Sequence, residues 1–152
     1  FGALLDHLAT RGIYGIPRPL GIEGERERLT FLPGEVPRYP LPDWVWHPDV
    51  LRAGAQLLRR IHDASATFAR DDRSWQLPSH EPAEVICHND FAPHNLVFDS
   101  QHNLIGVIDW DMCSPGPRIR DLAYFATRTV PLTAELPAGA PAGDEVRRRI
   151  KH

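Results

Sequence analysis

Leu4, Leu5 and Leu8 recur at helical spacing, and Gly12 stands where a helix C-terminus favours glycine. Two short apolar runs follow, "GIPRPLGI" and "ERLTFLPG", separated by the polar "EGERE". They predict a hairpin pairing Pro19–Ile22 with Arg28–Leu32, closed by Pro33-Gly34. Residues 33–48 carry five prolines and two tryptophans, a composition that predicts a stiff, extended linker between two lobes. The helical period returns from Asp49 to Phe68 in Leu51, Leu57, Leu58, Ile61, Ala64 and Phe68. Pro48-Asp49 suits its start, since proline fits a first turn and a carboxylate complements the N-terminal dipole.

"ARDDRSWQLPSHEPAE" reads as a polar loop. Val85–Cys87, Leu96–Phe98 and Leu104–Ile108 read as short strands, with "DSQHN" as the turn between the last two. Asp121 is placed to cap a helix that carries Leu122, Phe125, Ala126 and Val130 on one face. From Pro131 the chain reads as loop, and "DEVRRRIKH" as the start of another helix. There is no internal repeat.

Composition changes this picture little. The 152 residues are 42% hydrophobic and 24% charged, with a net charge of -3, which is not the electrostatic footprint of a nucleic-acid binder. No apolar run approaches the ~18 residues of a membrane span, and no signal peptide is evident, so the expected location is cytoplasmic and away from membranes. Cys87 and Cys113 read as reduced thiols, with no CxxC and no zinc spacing. The chain begins at Phe1 and enters a helix at once, as a piece of a longer protein would.

Chemistry concentrates in "ICHNDFAPHNLVFD", Ile86–Asp99. Asp90 is followed five residues later by Asn95, and Asp109 ends an apolar strand fourteen residues further on. A strand–turn–strand of that size brings its outer ends together, so Asp90, Asn95 and Asp109 are expected to meet around one point. Oxygen donors of this kind suit Mg²⁺ shared with substrate phosphates. Asp90 would be the carboxylate left over to orient a hydroxyl and accept its proton. Singly, His47, His62 and His94 read as surface or cleft-wall histidines, His94 with an acceptor-side contact in view. Trp44 and Trp46 read as packing anchors, and Trp110 as packed beneath the metal loop.

"VICHNDFAPHNLVFD" followed by "LIGVIDWDMCSPGPRIRDLAYFA" resembles the catalytic core of the aminoglycoside phosphotransferase family, small-molecule kinases of protein-kinase-like fold. The resemblance implies an α+β fold: a remnant N-lobe over 1–34, the proline-rich linker over 35–48, and over 49–152 a mainly helical C-lobe with a catalytic β-hairpin. It implies a nucleotide, ATP or GTP, with Mg²⁺, and a small molecule offering a hydroxyl. By the same resemblance Asp90 is the catalytic base, and Asn95 and Asp109 hold the metal. His88 orients the loop from below, and Asp121 braces its backbone. In "TFLPG", Thr30 C=O and Leu32 N–H would meet the adenine edge, with Leu29 behind it. Ala92 stands where Ser/Thr protein kinases place a lysine, which favours a small acceptor.

Two positions depart from the pattern. Asn89 replaces the usual glycine, and Asp111 adds a carboxylate with two readings, contact with the metal or, as the preferred expectation, bonds to nearby backbone N–H groups. No glycine-rich phosphate loop occurs, and the sole lysine is Lys151. Two other readings therefore stand beside the kinase: a non-catalytic kinase-like remnant, and a metal-dependent hydrolase built on His88, Asp90, His94 and Asp109.

Overall fold

The computed structural model of the chain describes residues 2–24, 26–69 and 74–130, so the loop and helix expected after Pro131 lie outside the described residues. The described residues form an α+β arrangement of three helices and three small antiparallel sheets.

Helix α1, Gly2–Thr10, buries Leu4, Leu5, Leu8 and Ala9. It ends as its sequence predicts. Gly12 takes φ +82°, and the Ile13 N–H returns 3.1 Å to the Leu8 carbonyl, closing the helix in the left-handed turn glycine allows. Strands β1 (Pro19–Glu23) and β2 (Arg26–Leu29) make the expected hairpin with a tighter turn. The second strand starts and stops earlier than Arg28–Leu32, because the polar Arg26 and Glu27 stay in the ladder on this solvent-exposed ribbon. Thr30 still adds a rung, its N–H 2.9 Å from the Arg18 carbonyl.

The proline-rich segment packs onto the rest of the molecule. Glu35 exchanges two 2.8 Å backbone bonds with Phe98, and Leu41, Val45 and Trp46 bury a small cluster around a 3-10 turn, Asp43–Trp46. Trp44 stacks on His102 with ring centroids 4.2 Å apart and meets Phe98 edge-on.

Helix α2, Pro48–Ser65, opens with Pro48 in its first turn and with His47 Nδ1 accepting the Asp49 N–H. Its most buried stripe is Val50, Gly54, Leu58, Ile61, His62 and Ser65, while Leu51, Leu57 and Ala64 are only half-buried. The stripe is rotated toward the small residues because the helix that carries Phe125 crosses there. A side chain at Gly54 would run into the Phe125 ring.

Val85–Cys87 (β3), Leu96–Phe98 (β4) and Leu104–Val107 (β5) match the expected strands to within one residue. Val85, Leu96, Val97, Phe98 and Val107 are all 0% exposed. Each such side chain contributes about 1.5–3 kcal/mol of burial, which makes this hairpin the rigid floor of the fold. The Gly15 carbonyl bonds the Val107 N–H at 2.8 Å and crosses directly over Gly106, where any Cβ would collide with it.

"SPG", to which the sequence assigns no element, forms a strand. In β6, Ser114–Gly116, Ser114 pairs with Cys87 and Gly116 with Val85. A three-residue run containing Pro and Gly carries no strand signal of its own; pairing with β3 imposes the conformation. Helix α3, Arg118–Thr129, begins three residues before Asp121, so Asp121 sits inside the first turns and is not the cap. Phe125 and Val130 face the core as expected, whereas Leu122 is 47% exposed.

Candidate active site

The loop between β3 and β4 is pinned from below by two buried side chains. His88 is 0% exposed. Its Nε2 lies 3.0 Å from the Ile108 carbonyl and its Nδ1 accepts the Asp90 N–H at 3.3 Å, so the ring ties the loop to the end of β5. This pairing requires the neutral Nε2–H tautomer, and burial above all holds the His88 pKa below its ordinary value. Trp110 packs against the ring at 4.9 Å and donates its indole N–H to the Val107 carbonyl.

Asp121 supplies the second pin. Its Oδ2 accepts the His88 N–H and its Oδ1 the Asn89 N–H, both at 2.8 Å. His62 also bonds Oδ2 at 2.8 Å. This corrects the surface or cleft-wall reading of His62, which is 3% exposed on the stripe of α2 that faces α3. Asn89 adopts φ +65°, a conformation asparagine tolerates better than most non-glycine residues. Its side chain is fully used: Nδ2 donates to the Met112 carbonyl and Ser114 Oγ, and Oδ1 accepts from Arg120 Nε.

The loop thus presents Asp90 with its carboxylate held on both oxygens. Tyr124 donates to Oδ1 at 2.6 Å, while Asn95 Nδ2 at 2.8 Å and His94 Nε2 at 3.2 Å bond Oδ2. Burial alone would raise the Asp90 pKa, but the hydrogen bonds from Tyr124, His94 and Asn95 outweigh it and keep the group a carboxylate.

Asn95 and Asp109 are brought together by the hairpin. The Ile108 N–H bonds the Asn95 carbonyl at 2.9 Å, which sets Asp109, at φ +66°, at the same end of β5. The Asn95 amide nitrogen also reaches the Asp90 carbonyl at 2.9 Å, so its donors are spent on Asp90. Among the described residues no donor reaches its Oδ1. Asp109 is raised from its usual range by burial, then by the carboxylates of Asp111 and Asp90. Asp111 therefore faces Asp109, contrary to the expectation that it bonds backbone N–H groups. Negative charge concentrated beside an unengaged amide oxygen fits a hard divalent cation.

The expected hinge carries two unpaired groups. Thr30 uses its N–H and Oγ1 on Arg18, and among the described residues no hydrogen bond engages the Thr30 carbonyl or the Leu32 N–H. Leu29 and Leu32 are half-buried, Leu32 lying over Gly106.

One metal-like cluster lies elsewhere. Ligand atoms of His62, Cys87 and Asp121 fall within 4.8 Å of one another. Asp121 already accepts three donors there, and burial, then Asp121, pushes the Cys87 thiol up to about 12, so hydrogen bonds close this cluster on itself. Nor does His88 suit a hydrolytic metal, since both its ring nitrogens are engaged.

The model of the phosphotransferase enzyme family matches residues 68–151, more than half of the chain and all of this loop and hairpin. The chain belongs to that family. A trifolitoxin immunity protein of Rhizobium leguminosarum bv. trifolii is 34% identical over 121 residues, covering 74% of this chain and 44% of the relative. Acyl-CoA dehydrogenase family member 11 of Pongo abelii is 32% identical over 81 residues, covering 46% of this chain and 10% of the relative. The Homo sapiens protein of the same name is 37% identical over 62 residues, covering 37% of this chain and 8% of the relative. The chain spans less than half the length of these curated relatives.

Within this phosphotransferase core the sequence alone assigns no role to Tyr124 and Arg128, and marks Asn89 only as a departure from the usual glycine. Tyr124 was legible in principle, lying three residues beyond Asp121 and so on the same helix face. No helix among the described residues is long and apolar enough to cross a membrane.

Proposed function

We propose that this chain carries the transfer site of an ATP- or GTP-dependent phosphotransferase that phosphorylates a hydroxyl of a small molecule. One observation carries the reading: the Asp90 carboxylate, kept ionised by three side-chain donors, stands beside Asn95 and Asp109 at the mouth of a rigid hairpin. Asn95 Oδ1 and the Asp109 carboxylate would hold Mg²⁺, which supplies charge neutralisation at the transferring phosphate. Asp90 orients the acceptor hydroxyl and takes its proton as the new oxygen–phosphorus bond forms. The bond to the leaving nucleoside diphosphate breaks, and its electron pair departs with the diphosphate. The free Thr30 carbonyl and Leu32 N–H are a donor–acceptor pair suited to a purine edge. The name of the rhizobial relative directs the search for the acceptor toward toxic compounds.

The test is isothermal titration of MgATP together with phosphate transfer from labelled ATP to a panel of hydroxylated small molecules. Micromolar nucleotide binding, with transfer falling about 10²–10⁴-fold in Asp90→Asn, supports the reading. Silence in the titration overturns it. A non-catalytic kinase-like remnant is the second reading, and silence in the titration is the outcome it predicts.

A further inference from the structure

Helix α3 faces the Asp90 loop with residues spaced three and four apart. Asp121 takes the loop's backbone N–H groups, Phe125 meets Phe91 with ring centroids 5.2 Å apart, and Tyr124 reaches the carboxylate itself. One turn further on, Arg128 donates to the Tyr124 hydroxyl oxygen at 3.2 Å and lies 5.0 Å above its ring.

Donor and acceptor chemistry give this chain a direction. A guanidinium only donates and a carboxylate only accepts, so the tyrosine hydroxyl between them must accept from Arg128 and give its proton to Asp90. The same inventory shows which part of Asp90 is free. A carboxylate offers about four lone-pair sites. On Oδ2 two are taken, by Asn95 and His94, and on Oδ1 one is taken, by Tyr124. The unshared site is the second lone pair of Oδ1, next to the Tyr124 hydroxyl.

We propose that Tyr124 is a positioning residue for phosphoryl transfer: held by Arg128, its hydroxyl fixes the Asp90 carboxylate so that the acceptor hydroxyl is received on the free side of Oδ1. The proposal rests on the phosphotransferase reading above and specifies which oxygen of Asp90 serves it. The acceptor's proton ends on Oδ1 while the phosphoryl group moves to the acceptor oxygen. The ring of Asp90 partners also bounds the space for the acceptor, with Tyr39 packed against His94 at 5.9 Å. Without Tyr124 the carboxylate keeps its charge and its Oδ2 partners but can swing about them, so the loss belongs in the transfer step and not in nucleotide binding.

The test is ADP release from MgATP by the full-length protein, with water as acceptor. Tyr124→Phe is expected to lower kcat about tenfold while KM for MgATP stays within about twofold. Arg128→Lys, which keeps a donor, is expected to retain most of kcat, whereas Arg128→Met falls toward the Tyr124→Phe value. A second measurement does not need the Tyr124 variant. With ¹³Cζ-labelled tyrosine, a tyrosine resonance is expected to move in both Asp90→Asn and Arg128→Met. An unchanged kcat in Tyr124→Phe, a loss confined to KM, or tyrosine resonances indifferent to Asp90→Asn would each overturn the proposal. Absence of turnover in the wild type removes the phosphotransferase reading and this role with it. Turnover that Asp90→Asn abolishes and Tyr124→Phe leaves intact removes only the role of Tyr124.

Discussion

The Oδ2 of Asp121 lies 2.8 Å from the Nε2 of His62, with side-chain exposures of 0% and 4%. The bond joins α2 to α3 directly beneath the Asp90 loop. The same carboxylate holds the N–H groups of His88 and Asn89, so one buried side chain connects two helices and the backbone that presents Asp90.

Asp121→Asn is therefore expected to be costly despite its near-identical shape. The amide NH₂ would be turned against a donor, leaving a buried N–H without a partner. The expected loss is about 3 kcal/mol of unfolding free energy, from broken charge-assisted bonds in a dry site. Urea denaturation measures it. His62→Ala should cost less, because Oδ2 keeps the His88 N–H. A loss for Asp121→Asn no larger than that of a surface substitution, about 0.5 kcal/mol, would contradict the bracing role.

The periodic parts of the chain could be read in advance, and the reason is physical. Leu4–Leu8, Leu58–Ile61 and the two arms of the hairpin each bury a face whose spacing repeats, and repetition survives in sequence. What could not be read depended on a partner distant in the chain. His62 looks like any lone histidine until α3 places Asp121 opposite it. "SPG" becomes a strand only because β3 needs a neighbour. The phase of α3 depends on a distant segment in the same way. Asp121 has the chemistry of a helix cap, but the chain already turns helical at Arg118, after Pro117, and the carboxylate is spent on another segment. That Asn95 and the end of β5 come together could be read because a short hairpin returns its ends to one place, and the Ile108 N–H on the Asn95 carbonyl closes it there.

His88 gives a pH dependence whose direction follows from its burial. Burial lowers its folded pKa from 6.5, so below that value the unfolded chain binds a proton that the folded chain refuses. Its contribution is full above pH 6.5 and is lost as pH falls through that value toward the lower folded pKa. In that window stability should fall by up to about 1.4 kcal/mol per pH unit from this group. Denaturation midpoints at pH 7.5, 6.5 and 5.5 measure the slope, and His88→Gln should flatten it. Asp90 acts in a separate window. Held low, it gives up its contribution only as pH falls below its unfolded value of 3.8.

Asp109 and Asp90 should separate in a metal experiment. If Asn95 and Asp109 hold the cation, MgATP raises the melting temperature of the wild type, and Asp109→Asn removes most of that rise. Asp90→Asn should keep it, since Asp90 is committed to Tyr124, His94 and Asn95. At a ligand concentration about 100 times Kd the stabilisation is about 2.7 kcal/mol, enough to read by thermal shift. Without ligand, Asp109→Asn should itself stabilise the fold slightly, because it relieves the repulsion by Asp111 and Asp90 that raises the Asp109 pKa. Equal loss of the MgATP response in both variants would show that the two carboxylates share the metal.

Asn89 allows backbone conformation and side-chain bonding to be tested apart. At φ +65° the position suits glycine, so Asn89→Gly keeps the turn and loses only the bonds to Met112, Ser114 and Arg120. Asn89→Ala loses the same bonds and adds a Cβ in a left-handed conformation, at a further cost of about 1–2 kcal/mol. If the side chain matters chiefly by tying the loop to the segment that leads into β6, the glycine variant should already be destabilised, by about 1–2 kcal/mol, with alanine worse again. If asparagine is present only because it tolerates the turn, glycine should equal or exceed the wild type in chemical denaturation. The three bonds at 2.6–2.9 Å favour the first outcome. They let a non-glycine residue occupy a glycine position without loosening the loop that carries Asp90.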